Sequence, residues 1–321
     1  MVILGAGASK ATAPKGDRQG RELPVLANLA EVVGVAQAIA KAGVGDASDF
    51  EALYDQLVAD NSHPELVRLI QRSVWRYFAD LELPDGATIY DFLLLALRQN
   101  DLIASFNWDP LLVQAYCRNA HVGSLPRIIF LHGNVGIGYC EVDRVVGYSD
   151  DSCGTCGRAF VPSQLLYPVR QKDYNVNPLI KSEWEVLSRN LAYAYMLTIF
   201  GYSAPSTDVE ARDIFLNAWR GNAHFELAQI NIVDIRPRRD LVRAWRPFFC
   251  REHFAIHRTI FTSWLFRNPR RSCEALAMAT LQNNPWAVNL FPRFRKLSSL
   301  QEWVAPLVAE EHNGRFSGTL C

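Results

Sequence analysis

Met1-Val2-Ile3-Leu4-Gly5-Ala6-Gly7-Ala8-Ser9 opens the chain and decides how the rest is read. A run of apolar residues that stops at two glycines one residue apart describes a strand buried on both faces, ending in a tight turn. Glycine has no Cβ, so Gly5 and Gly7 permit a close backbone approach, and amide N–H groups left free in such a turn can hold a diphosphate. A buried strand usually runs about five or six residues, so this one is cut close, and a residue or two is expected to be missing upstream.

The residues after this turn depart from the dehydrogenase pattern. Lys10 stands where the hydride-transferring fold has its third glycine. No second strand ending in an acidic residue comes about twenty residues on. Instead a turn-rich stretch, 14–20, leads into helical periodicity over 23–42. Ser48 with Glu51 reads as a capping box for a helix carrying Phe50, Leu53, Tyr54 and Leu57. His63-Pro64 precedes another helix and 88–98 makes a third. Together they form a helical insertion over about 44–100, between the first and second core strands.

Strands resume at 101–106, 127–131, 194–200 and 229–233, with helices between them, Thr207 and Glu210 capping one. This alternation predicts an α/β fold with a doubly wound, Rossmann-like parallel sheet. The five strands end in Gly5-Ala6-Gly7, Asn107-Trp108-Asp109, His132-Gly133, Gly201-Tyr202-Ser203 and Asp234-Ile235-Arg236. In open α/β sheets the ligand lies outside the carboxyl ends of the strands, so these clusters are expected to converge on one crevice. Asn107 can hold a ribose hydroxyl or a water through donor and acceptor at once. Asp109 can accept from ribose hydroxyls, cap the helix that Pro110 opens, or do both. His132 is either a buried, hydrogen-bonded histidine or a general base at the cleft. The binding domain is expected over 1–236. Residues 237–321 read as a mostly helical C-terminal extension, with Ser299 and Glu302 opening its last helix.

Composition narrows the classes. The 321 residues carry 33 basic and 33 acidic side chains, so no long-range field draws the chain to nucleic acid. The arginines of the tail, Arg236, Arg238, Arg239, Arg243, Arg246, Arg267, Arg270 and Arg271, offer a surface for nucleic acid or an acidic partner, but with the charges balanced they read rather as a solvated face or an intersubunit surface. No apolar run reaches the ~20 residues that span a bilayer, and the start lacks the regions of a signal peptide. A cytoplasmic protein is expected. Seven cysteines do not make a disulfide scaffold in a chain of this size. Cys153-Gly154-Thr155-Cys156 is instead a turn of the zinc-knuckle kind, with Cys140 as a third ligand, inside a polar insertion over about 134–162. The fourth ligand is open between Cys117 and a histidine, and the alternative is a loop of reduced cysteines.

The ordered set of Gly-Ala-Gly-Ala-Ser, Phe106-Asn107-Trp108-Asp109, His132-Gly133 and Gly201-Tyr202-Ser203 with Asp208 resembles the Sir2 (sirtuin) superfamily. The likeness is to its bacterial SIR2-like branch, which includes anti-phage NAD hydrolases, and it covers about 1–236. The resemblance implies NAD as substrate, with Gly5, Ala6, Gly7 and Ser9 at the diphosphate. It places Asn107 at the ribose and the attacking water, Asp109 in support and His132 as base. Gly201, Ser203 and Asp234 would line the adenosine side. It also implies a structural zinc just after His132-Gly133, where sirtuins carry four cysteines. Deacylating members have a Pro-Asp-Phe-Arg segment soon after the glycine loop. Here 13–25 has Asp17-Arg18 but no such run, which favours water as acceptor over an acyl-peptide. The expectation is an NAD hydrolase acting in phage defence, restrained by a homo-oligomer or a defence complex. A deacylase or ADP-ribosyltransferase and an NAD-sensing subunit are the alternatives.

Overall fold

A sheet of six parallel strands carries the molecule in the computed structural model, which describes residues 1–169, 177–203, 209–283 and 290–312. The strands in chain order are β1 (Val2–Leu4), β2 (Leu102–Ser105), β3 (Arg127–Phe130), β4 (Ile137–Tyr139), β5 (Val146–Tyr148), β6 (Val161–Pro162), β7 (Met196–Phe200), β8 (Gln229–Val233) and β9 (Phe254–His257). The large sheet runs β3-β2-β1-β7-β8-β9, while β5-β4-β6 form a small antiparallel sheet inside the cysteine-containing insertion. From β1 the chain winds outward through β2 and β3, then crosses to the other side for β7, β8 and β9. The winding therefore reverses between β1 and β7, which is where a doubly wound sheet opens its binding crevice.

β1 is buried on both faces because its side chains alternate between two cores. Val2 and Leu4 join the cluster formed with the helical insertion and the C-terminal helices, and Ile3 joins the cluster under Pro178–Leu191, Val209–Arg220 and Arg238–Trp245. The insertion and the C-terminal region share one core. Phe92 of the helix Ile89–Ala96 meets Phe261, Phe266 and Phe291 at 5.4, 6.0 and 5.3 Å between ring centres. Arg270, read from the sequence as part of a solvated or intersubunit face, is instead buried and donates to Leu97 O and to both carboxylate oxygens of Glu311, at 2.9, 2.6 and 2.7 Å, pinning the last helix in place.

The structure corrects several local expectations. β9 lies within the region read as mostly helical. It is a four-residue edge strand between Arg251-Glu252-His253 and Arg258, too short and too polar at its flanks to show a period. Over 23–42 there are two short helices, Leu29–Val32 and Ala36–Ala42, interrupted where Gly34 takes a positive φ of 80°. Asp49, not Ser48, caps Phe50–Asp60 by accepting from Ala52 N, and Ser48 turns to Asp46. The last helix begins at Leu297, two residues before Ser299. Thr207 and Asp208 lie outside the described residues. Among the described residues no helix is long and apolar enough to cross a membrane.

The edge at β3 is closed by a carboxyl group. Glu183 accepts from Phe130 N, and Trp184 Nε1 donates to Leu131 O at 3.1 Å. Burial pushes the Glu183 carboxyl from its ordinary 4.5 to about 8, against the bond from Phe130. A carboxyl whose pKa rises on folding adds stability below its unfolded pKa, and that stability is lost as pH rises through the folded value. Glu183→Gln keeps an acceptor for Phe130 and removes the titration. Urea midpoints at pH 5 and pH 9 are expected to favour the variant progressively, by on the order of 4 kcal/mol across the range. A difference that does not change with pH would mean that Glu183 is ionised throughout.

Candidate active site and metal cluster

The carboxyl ends of the central strands open on a crevice of about 720 Å³, within the usual size of ligand clefts. All five strand-end clusters foreseen from the sequence reach it, through Gly5, Asn107, His132, Gly201 and Asp234 among others. A sixth, unforeseen, comes from Arg258-Thr259 after β9. The helical insertion supplies Phe78 and Ile89 to the walls.

At the floor lies a buried polar network. Asn107 Nδ2 lies 3.0 Å from Gly5 O, 2.9 Å from Ser9 Oγ and 3.0 Å from Tyr90 Oη, its two hydrogens shared among the three acceptors. A carbonyl only accepts, so the atom beside Gly5 O must be the amide nitrogen, which fixes the sense of the carboxamide. Asn107 Oδ1 has no partner among the described residues and is the atom left for a ligand. Ser9 Oγ donates to Asp109 Oδ2 at 2.6 Å. Its one proton is thereby used, so at the 2.7 Å contact between the two hydroxyls Tyr90 is the donor. The proton sense runs from Tyr90 through Ser9 to Asp109.

Asp109 takes the capping role, accepting from Leu111 N through Oδ1 at 3.2 Å, while its Oδ2 accepts from Ser9. Burial raises its pKa to about 6, with the bonds from Ser9 and Leu111 opposing. Burial and then the Asp109 charge raise the Tyr90 pKa, so the hydroxyl stays protonated. Tyr90 was missed because a tyrosine on a distant apolar helix carries no local signal. Asn134, which donates to Asn107 O at 3.1 Å and Asp109 O at 2.6 Å, was missed likewise.

The glycine turn works differently from the sequence expectation. Gly5 N donates to Phe200 O and Gly7 N to Gly201 O, each at 3.0 Å, so these amides are not left for a diphosphate. The glycines instead let two turns abut at the reversal point. A Cβ on Gly7 would stand 2.8 Å from Gly201 Cα, and one on Gly201 would stand 2.3 Å from Ala8 N. Ala6, Ser9 and the exposed Ser203 still line the crevice.

His132, 8% exposed, meets Phe106 edge-on at 4.8 Å between ring centres. Phe106 in turn stacks on Tyr202 at 4.2 Å, tying the ends of β2 and β7 together. Asp234 is engaged by Arg236, which donates through its backbone N at 2.8 Å and Nε at 3.0 Å. Its carboxylate therefore presents a neutralised pair to the crevice.

Outside the crevice, Cys140, Cys153 and Cys156 come together as foreseen. Their fourth companion is Asp143, in place of Cys117 or a histidine. One ligand atom from each lies within 4.8 Å of all the others. Asp143 Oδ2 is 3.1 Å from Cys153 Sγ and 3.6 Å from Cys140 Sγ, and Cys140 Sγ is 3.5 Å from Cys156 Sγ. Three thiolates and one carboxylate at these separations suit a tetrahedral zinc. The signal was in the sequence, since Cys140-x-x-Asp143 repeats the spacing of Cys153-x-x-Cys156. Elemental analysis of chain purified without chelator is expected to give about one zinc per chain. Asp143→Ala should bind it at least ~10-fold more weakly, and Cys117→Ser should not change it. Metal-free protein whose three cysteines alkylate freely in the folded state would reject the site.

No family model matches the chain, and no curated protein matches it. Solved structures do. One, solved for the mechanism and regulation of Sir2 enzymes, is 14% identical with a TM-score of 0.37, covering 95% of this chain and 92% of that one. The chain is similar to Sir2 proteins. A Sir2 homologue–NAD complex is also 14% identical, with a TM-score of 0.36 and coverage of 88% and 89%. A Sir2 complex with an inhibitor, 2′-O-acetyl-ADP-ribose and a deacetylated peptide gives 14%, 0.38, 88% and 92%. Likeness at this level is of outline, and the functional reading rests on the chain's own residues.

Proposed function

We propose that the chain binds NAD in the crevice and hydrolyses its nicotinamide–ribose bond, giving ADP-ribose and nicotinamide, as a defence effector that depletes the cofactor. The observation that supports this reading is the carboxamide of Asn107, held through Nδ2 in the lining of the crevice at the reversal point of the sheet, with no partner on its Oδ1 among the described residues. In the proposed step a water oxygen bonds to the ribose carbon. The carbon–nitrogen bonding pair leaves with nicotinamide, which departs neutral, and the water gives up a proton. Asn107 Oδ1 orients the water or a ribose hydroxyl, and His132 takes the proton. Gly5, Ala6, Gly7, Ser9, Gly201, Ser203 and Asp234 frame the rest of the dinucleotide.

Water as acceptor is supported by Asp17. Its carboxylate is taken up by Gln19 N, Arg21 N, Arg21 Nε and Glu82 N, at 2.8 to 3.0 Å, so it shapes its own loop. Restraint of such an enzyme belongs to the proposal, through the insertion walling the crevice or through assembly. Deleting the last helix would not test restraint, because Leu300, Val304 and Val308 are core residues. Activity per chain across protein concentration does.

The test of the reaction is incubation of pure chain with NAD, with and without an acyl-peptide, followed by chromatography. ADP-ribose and nicotinamide in both incubations are expected. Turnover only with the peptide, giving acylated ADP-ribose, would make the chain a deacylase.

A further inference from the structure

A second hollow, of about 620 Å³, lies against the wall of the crevice. Two elements divide them. The helix Pro64–Ala79 gives Phe78 to the crevice and Arg72, Trp75 and Arg76 to the hollow. The strip 164–168 gives Leu166 and Pro168 to the crevice, and Gln164, Leu165 and Tyr167 to the hollow.

The chemistry of the hollow is specific. Arg72, Trp75 and Arg76 stand at i, i+3 and i+4 and so share one helix face, the two arginines about 6 Å apart along the axis. Both arginines are exposed, and neither guanidinium has a hydrogen bond or ion pair among the described residues. Asp80 also reaches the hollow but pairs with neither. Like charges on successive turns repel, and an anion between them relieves that repulsion. Trp75, half-buried, lines the hollow beside them. Gln71 spends an amide hydrogen on Tyr54 Oη at 2.8 Å and keeps its oxygen. Gln164 accepts from Asn177 at 3.5 Å through its oxygen and keeps its amide hydrogens. An aromatic platform, a forked cationic pair, one acceptor and one donor match a base joined to phosphate.

We propose that this hollow is a second site, for a nucleoside phosphate, distinct from the dinucleotide crevice. Its wall touches the candidate machinery. Tyr167 packs on Trp108 at 5.1 Å between ring centres, and Trp108 sits between Asn107 and Asp109. Leu166 N donates to His132 O at 2.9 Å. A ligand between Trp75 and the strip therefore bears on the crevice floor, and occupancy of one site changes affinity at the other. That consequence rests on the crevice being a dinucleotide site; the binding itself does not.

Labelled AMP and labelled pyrophosphate, titrated into the full chain by equilibrium dialysis, test it. The Arg72→Gln/Arg76→Gln chain is expected to lose one AMP equivalent, its affinity falling about tenfold or more, and Arg72→Lys/Arg76→Lys to fall between. Trp75→Ala should weaken AMP and leave pyrophosphate unchanged. AMP binding identical in the wild-type and double-glutamine chains would overturn the proposal, as would no binding of AMP at all. Arginine-dependent capture of a single-stranded oligonucleotide or an acidic peptide that AMP does not displace would overturn the ligand class. Dialysis does not depend on NAD turnover, so failure of the proposed hydrolysis and failure of this site show separately.

Discussion

Asn107→Ala is expected to lower NAD cleavage by on the order of a hundredfold or more while the chain stays folded. The carboxamide shares its two Nδ2 hydrogens among three acceptors, and its Oδ1 is the atom proposed to meet the ligand. Removing it leaves its old acceptors with other donors: Gly5 O still receives Ala8 N at 2.8 Å, and Ser9 still receives Tyr90. The expected stability loss is therefore only about 1–2 kcal/mol, typical of a buried hydrogen-bonding group. Nicotinamide release and a urea melt on the same sample separate the two effects. Wild-type turnover in this variant would remove Asn107 from the chemistry.

Gly201→Ala is expected to be strongly destabilising. Gly201 has a φ of +63°, where a side chain is strained, and its Cβ would fall 2.3 Å from Ala8 N and 2.5 Å from Gly7 C. These are backbone atoms of the opposing turn and cannot swing aside. The turns after β1 and β7 would have to separate, at a cost of roughly 3 kcal/mol or more. Gly154→Ala, where nothing lies within 4 Å of the new methyl, is the matched control and should be neutral. Equal urea midpoints for both variants would mean that the two glycine turns do not abut.

The frame of the site was legible in the sequence because burial on both faces leaves a run that cannot be mistaken. β1, β7 and β8 are such runs, and each stops at the small or polar cluster that lines the crevice. Asn107, Asp109 and His132 could be placed from that position alone. β9 could not, because a short edge strand with charged flanks has no apolar period to read. Nor could the partners of Asn107: Tyr90 reaches Ser9 from 81 residues away, a pairing made only by the packing of the helix Ile89–Ala96. The glycines were read correctly as points of close approach, and the fold adds a neighbour that the sequence could not show: Gly5 N and Gly7 N are spent on Phe200 O and Gly201 O, and a Cβ at Gly7 would meet Gly201. Asp143 was legible in principle and was passed over because a carboxylate among thiolates is the less usual zinc ligand.

Water, held at Asn107, is proposed to take the ribose carbon of NAD, and the function rests on that step. Incubating the pure chain with NAD in ¹⁸O-enriched water and weighing the products by mass spectrometry tests it most directly. Free nicotinamide is expected, with ADP-ribose carrying one ¹⁸O at the anomeric position of the freed ribose. NAD recovered intact at every protein concentration, or ADP-ribose found only as an adduct of another acceptor, would contradict it.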